Sequence, residues 1–166
     1  SDKNLTLINS LKAKYQGVLV SNGSLSLKRN KQVDIEGKFD SKFNLNKDTL
    51  KNLFSKTDVN FLEKNSLNAQ GSLLHNFYLK FDENIKLIDY DYKSSGNISE
   101  SQIILKDDFK SNFIENSIKK ILISLTNLTI NLNKKNNNLL LFEGLYNLEK
   151  TKNKKFKISY NLNKKN

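Results

Sequence analysis

Residues 33 to 45 read VDIEGKFDSKFNL, and apolar or small side chains stand at every second position of this stretch. Its large apolar positions are Val33, Ile35, Phe39, Phe43 and Leu45. Successive side chains of a β-strand point to opposite faces, so a period of two predicts a strand with one apolar and one polar face. The stretch is about twice as long as the usual strand of five or six residues, which indicates an extended strand.

The same alternation returns along most of the chain, between short connections rich in Asn, Lys and Ser. It recurs in residues 5–15, 18–27, 73–81, 88–92, 98–105, 128–132, 139–142 and 156–162. The connections, which suit hairpins because Asn and Gly accept a positive φ easily, are residues 21–23, 28–31, 82–84, 93–96 and 134–138. The sequence therefore predicts an all-β chain of roughly nine to eleven strands, arranged as a curved antiparallel meander sheet that forms an open groove or half-barrel.

Two segments depart from the alternation and predict one or two short helices. Their apolar positions are Leu50, Leu53 and Phe54 in residues 46–54, and Phe109, Phe113, Ile114 and Ile118 in residues 107–120. Spacings of three and four residues place side chains on one face of a helix. Asp107 or Asp108 is a candidate N-terminal cap for the second helix.

The composition excludes most catalytic and metal-site chemistry. The chain has no Cys and a single His, so thiolate chemistry and the common nitrogen ligands are almost absent. The six glycines are isolated and form no phosphate-binding loop. We therefore expect no enzymatic activity, no cofactor and no metal, and His75, which stands between Leu73 and Phe77, is predicted to be a packed side chain.

The net charge of +11 does not predict a nucleic-acid partner. Arg29 is the only arginine among the basic residues, whereas phosphate and base recognition favours the bidentate arginine fork. The abundance of Lys, Asn and Ile, with no Pro, Met, Cys or Trp, is typical of an AT-rich genome. Lysine clusters such as Lys134-Lys135 are interpreted as solvated turns, with steering of lipid headgroups as the alternative.

No run of some 18 apolar residues and no signal-peptide core occurs in the sequence. We expect residues 1–166 to form a single elongated β domain that is a fragment of a longer repetitive protein, with any anchor or export signal outside it. A weak internal repeat supports this expectation, since residues 25–39 and 130–146 both read as a hairpin ending in Glu-Gly.

The apolar stripe carries the main functional signal, and two interpretations of it stay open. It can be the core of an ordinary sandwich or barrel, or it can be the floor of a groove that holds acyl chains. Long strands, a polar second face and few apolar residues for covering both faces favour a single curved sheet.

Three segments of the chain resemble the large AsmA-like proteins of the bacterial envelope. They are the G-x-L-x-L pattern of residues 23–27, residues 65–71 leading into residues 77–82, and residues 88–96. The resemblance spans most of the chain and rests on strand periodicity and turn texture. The chain differs from the family in length, because 166 residues form too short a groove to bridge two membranes.

The resemblance implies a non-enzymatic periplasmic segment of a Gram-negative protein that is anchored in the inner membrane. Its hydrophobic β-groove would serve phospholipid transport or outer-membrane homeostasis. The implied partners are phospholipid acyl chains and neighbouring β-repeats of the same protein, with membrane contact through regions outside this chain. The groove-lining role falls on Val33, Ile35, Phe39, Phe43, Phe77, Leu79, Phe81, Ile130, Leu132 and Leu141.

A second class of function also stays open. A structural or adhesion-type β module would bind other proteins by adding strands at the exposed edges of its sheet. The two classes differ in one expectation, because only the lipid-transfer interpretation predicts lipid that co-purifies with the protein.

Overall fold

The structure of the chain, a computed structural model, describes residues 4–53, 65–111, 114–135, 138–149 and 151–161. These residues form eight strands and one helix, in the order β1 (Leu5–Tyr15), β2 (Val18–Arg29), β3 (Val33–Leu45), α1 (Lys47–Leu53), β4 (Ser66–Phe81), β5 (Leu87–Ser111), β6 (Ile114–Asn133), β7 (Leu139–Leu148) and β8 (Lys154–Asn161). Each strand pairs antiparallel with its neighbours in sequence, and the sheet does not close. The predicted all-β meander is confirmed, with a single short helix.

The strands are fewer and longer than predicted, because two expected turns lie inside strands. Residues 21–23 form a bulge in β2, where Ser21 pairs with Asp40 and Ser24 pairs with Lys38. Asn22 has a φ of 52° there. Its tolerance of a positive φ, from which a turn was predicted, therefore allows a bulge instead. Residues 93–96 lie within β5 and pair with β4 on one side and with β6 on the other.

The helix predicted in residues 46–54 is confirmed as α1, although Phe54 lies outside the described residues. Asn46 caps it, since its Oδ1 accepts a hydrogen bond of 2.9 Å from the backbone N–H of Thr49. The side chain of Leu50 is buried, which fits the apolar face assigned to this helix.

The helix predicted in residues 107–120 is wrong. Residues 107–111 end β5, and residues 114–120 begin β6, with Phe109 paired to Ile118. The spacing of four that suggested a helix is also an even number, so it equally fits one face of a strand. Phe113 and the tip of the predicted turn at 134–138 lie outside the described residues.

The sheet has almost no enclosed core in the part of the chain that the structure describes. Leu50 and Ile118 are the hydrophobic residues that are buried there. Most other apolar side chains are half-buried or exposed. In the same residues, no helix is long and apolar enough to cross a membrane.

Two glycines of the sheet lie under phenylalanine rings. A Cβ atom built at Gly37 would be 2.5 Å from the ring of Phe77, and one built at Gly71 would be 2.7 Å from Cζ of Phe43. At Gly71 it would also collide with the backbone oxygen of Asn97. The glycines therefore let aromatic rings approach the backbone of the sheet closely.

We predict that Gly71→Ala destabilises the fold more than Gly37→Ala does. The methyl group at position 71 collides with the backbone of β5, which is fixed by its ladder, whereas the one at position 37 meets a ring that can rotate. We expect losses of about 3 and about 1 kcal/mol in the free energy of unfolding, measured by urea denaturation. Equal losses would contradict the argument.

Candidate functional site

The register of the sheet shows which side chains share a face, because directly paired residues of neighbouring strands point to the same side. One row of partners is Leu27, Ile35, Leu79 and Tyr90, and the next is Leu25, Gly37, Phe77, Tyr92 and Leu132. We call the side of the sheet that carries these rows the apolar face. The opposite side, which carries Asp34, Glu36 and Lys38, is the polar face.

All but one of the predicted groove residues lie on the apolar face. They are Val33, Ile35, Phe39, Phe43, Phe77, Leu79, Phe81, Ile130 and Leu132. Each of these side chains is half-buried. The ladders therefore bring together, across strands β3, β4 and β6, residues that are distant in sequence.

Leu141 is the exception, and its assignment to the groove side is wrong. It pairs with Thr129, whereas its neighbour Leu140 pairs with Ile130, so Leu140 lies on the apolar face and Leu141 on the polar face. Residues 139–142 are all apolar, and an unbroken apolar run gives no period from which a face can be assigned.

The buried polar residues of the described chain all lie on the apolar face. They are Ser41, His75, Ser94, Ser101 and Thr126. The imidazole of His75 stacks on the ring of Phe39, with 4.4 Å between the ring centroids. The prediction that His75 is packed is therefore correct.

Both nitrogens of the His75 ring have hydroxyl partners. Nε2 lies 2.7 Å from Oγ of Ser41, and Nδ1 lies 2.9 Å from the hydroxyl of Tyr92. The sequence alone gave one signal for this arrangement, namely a serine at position 41, where the alternation calls for an apolar residue. The sequence did not predict the register in which β4 pairs with β3, which brings His75 to Ser41.

Burial lowers the pKa of the His75 imidazole below its ordinary value, and the charge of Asp40 raises it by a smaller amount. The imidazole is therefore neutral at pH 7. A neutral imidazole carries one N–H and one acceptor nitrogen, so one ring nitrogen donates to its hydroxyl partner and the other accepts.

The polar face is solvated and carries opposite charges in neighbouring positions. Tyr78 donates a hydrogen bond of 2.9 Å to Asp34. Burial, this bond and the nearby carboxylates of Asp34, Asp89 and Glu36 raise the pKa of Tyr78 to about 12. An open depression of about 660 Å³ crosses this face from Leu7 to Lys93, and the described residues bring no three His, Asp or Glu side chains together as metal ligands.

Comparison with known proteins gives no match to a family model, to a curated protein or to a solved structure. The AsmA-like resemblance therefore remains an expectation from the sequence.

We predict that the protein loses stability as the pH falls below the ordinary histidine value of about 6.5. Because the pKa of His75 is lowered in the folded state, its contribution to stability is complete above the unfolded value and is lost as the pH falls toward the folded one. The loss is at most about 1.4 kcal/mol per pH unit. Urea denaturation between pH 7.5 and 5 measures it.

Two variants test the assignment to His75. His75→Phe should remove most of the dependence on pH in this window. Asp40→Asn should steepen it, because the charge that raises the pKa of His75 is removed. An unchanged slope in His75→Phe would show that other groups produce the effect.

Proposed function

We propose that this chain is a non-enzymatic segment of a lipid-transfer protein and that its apolar face holds the acyl chains of phospholipids. The observation that carries the proposal is a single-layer sheet whose apolar side chains are half-buried rather than enclosed in the described residues. Water contact with such a face is unfavourable, and hydrocarbon would relieve it.

The energetics and dimensions of the face suit an acyl chain. Transferring one methylene group from water to an apolar surface contributes about 0.8 kcal/mol, so a partly covered tail already gains several kcal/mol. Eight strands at about 4.8 Å spacing give a sheet about 34 Å wide. A lipid tail spans about half of a 30 Å hydrocarbon layer, so the rows of the apolar face are long enough to carry one.

The polar face supports the same proposal, since its charged side chains keep one side of the sheet in water. Lys93 pairs with Asp91 at 3.5 Å, and Lys157 pairs with Glu143 at 3.3 Å. Both pairs are exposed and contribute little to stability. This asymmetry suits a sheet that carries hydrocarbon on one face and stays solvated on the other.

The wider setting of the proposal comes from the AsmA-like resemblance. It includes a periplasmic location in a Gram-negative envelope, an inner-membrane anchor outside this chain and neighbouring β-repeats of the same protein. The open sheet supports the last of these, because a further repeat could continue it at an edge strand.

We predict that Leu79→Lys weakens binding of a fluorescent phospholipid about tenfold or more, while Leu74→Lys leaves it unchanged. Both residues lie on β4, but Leu79 is on the apolar face and Leu74, which pairs with Asp40, is on the polar face. A charge on the apolar face must be desolvated by a bound tail. Native mass spectrometry of the wild type should also show co-purifying phospholipid.

The outcome that rejects the proposal is a wild-type protein that is folded by circular dichroism, carries no lipid and binds none. Equal binding by Leu79→Lys and Leu74→Lys would place the lipid elsewhere on the molecule.

A second function, binding of further β-strands, is favoured by the exposure of β1. Every residue of this edge strand is exposed, including Leu7 and Leu11. The other edge, β8, carries Lys154, Lys155 and Lys157 in 8 residues, whereas β1 carries Lys12 and Lys14 in 11 residues, and edge lysines discourage pairing with another strand. Strand addition would therefore take place at β1.

If β1 adds strands, copies of the chain should associate at high concentration and Leu7→Lys should return them to monomers. Leu19→Lys is the matched control, because Leu19 is exposed on the polar face of β2, away from the edge. Sedimentation velocity measures both variants. A wild type that stays monomeric at every concentration would reject self-pairing through this edge.

A further inference from the structure

A group of polar side chains lies in the middle of the apolar face. It consists of Ser41, His75, Tyr92 and Ser94, which we call the hydroxyl cluster. Ser94 pairs directly with His75 across strands β4 and β5, and only 2% of its surface is exposed. Its hydroxyl oxygen is buried and has no hydrogen-bond partner among the described residues.

The hydrogen count of the cluster leaves donors without acceptors. The hydroxyls of Ser41 and Tyr92 and the neutral imidazole of His75 carry three N–H or O–H hydrogens. The two bonds to the ring, of 2.7 and 2.9 Å, use two of them in either tautomer. One hydroxyl hydrogen, on Ser41 or Tyr92, is therefore left over, and the hydroxyl of Ser94 adds a second.

Donors in an apolar surface select a ligand that brings acceptor oxygens. The cluster contains no cation, and the charged group that acts on His75 is the carboxylate of Asp40. An anionic oxygen would lose its hydration without gaining a countercharge. A carbonyl oxygen accepts two hydrogen bonds and carries no charge, so it fits the cluster better.

We propose that the hydroxyl cluster binds the ester carbonyl of an acyl lipid whose hydrocarbon chain lies on the apolar face. The inference rests on the proposed function and adds the chemical group that is recognised. Phe77 and Leu132 share a row with Tyr92, on one side of the row that holds His75 and Ser94. Leu73 and Leu128 share a row with Ser41, on the other side. A bound chain therefore has hydrocarbon neighbours in both directions from its carbonyl.

The carbonyl reaches Ser94 after a movement of side chains on the same face. Ile130 pairs directly with Ser94 from β6 and is half-buried. Because Ser94 is 2% exposed, side chains beside it, such as Ile130, must change rotamer before a carbonyl can reach its hydroxyl, and such a change leaves the backbone ladder in place.

Two fluorescent probes test the proposal on the full chain. Diphenylhexatriene contains no oxygen and reports the apolar face, and the methyl ester of cis-parinaric acid adds an ester carbonyl. Ser94→Ala should weaken binding of the ester about fivefold, the value of one neutral hydrogen bond. Either Ser41→Ala or Tyr92→Phe should do the same, according to which hydroxyl keeps its free hydrogen, and all three variants should leave binding of diphenylhexatriene unchanged. Ser101→Ala is the control, since Ser101 is buried on the same face outside the cluster.

The outcomes separate this inference from the proposed function. Ester binding by Ser94→Ala that equals that of the wild type would overturn the role of the cluster and leave lipid binding standing, and so would wild-type ester binding by both Ser41→Ala and Tyr92→Phe. Tighter binding of ionised parinarate than of its methyl ester would also overturn it, because the cluster would then accept an anion. Failure of the folded wild type to bind either neutral probe would overturn the proposed function itself.

Discussion

The register between β3 and β4 is the constraint on which the rest of the sheet depends. Their ladder runs from Val33 and Phe81 to Leu45 and Ala69 without a shift. A slip of one residue would turn every side chain of a strand to the other face, so it would place Asp and Lys among the phenylalanines. The alternation in β3 and β4 therefore fixes the position of the apolar face, and the outer strands add to it.

The outer ladders keep the same faces only because their irregularities match. In β5, Ile98 and Ser101 both lie on the apolar face, and in β6 so do Thr126 and Ile123, although each pair is three residues apart. Each strand carries an extra residue at the same level, and in β6 it is Leu125, with a φ of 47° and 74% of its surface exposed. Opposed bulges add one residue to both strands, so the faces stay in phase beyond them.

These irregularities explain how far the sequence could predict the structure. The strands with regular alternation, the helix α1 and the common face of most predicted groove residues followed from local pattern, because a period of two and a period of 3.6 differ over ten residues. A bulge breaks the period as a turn does, so residues 21–23 looked like a connection. The predictions for residues 107–120 and for Leu141 were wrong for a related reason. The pattern of residues 107–120 fits a helix or a strand, the apolar run around Leu141 fits either face of a strand, and only the cross-strand partners decide. The neighbours of His75 come from two other strands, β3 and β5, so local pattern could not identify them either.

The unpaired donors of the hydroxyl cluster help to decide whether lipid or a second protein layer suits the apolar face better. A buried hydroxyl without a partner costs about 1–3 kcal/mol, so the fold alone would favour alanine at position 94. A second sheet packed on this face would bring mainly aliphatic and aromatic side chains to the cluster and leave its donors unpaired. An acyl ester offers hydrocarbon to the rows around Phe77 and Leu128 and an acceptor to Ser94. The combination of one apolar layer with donors at its centre therefore favours an amphiphile over another protein layer as the occupant.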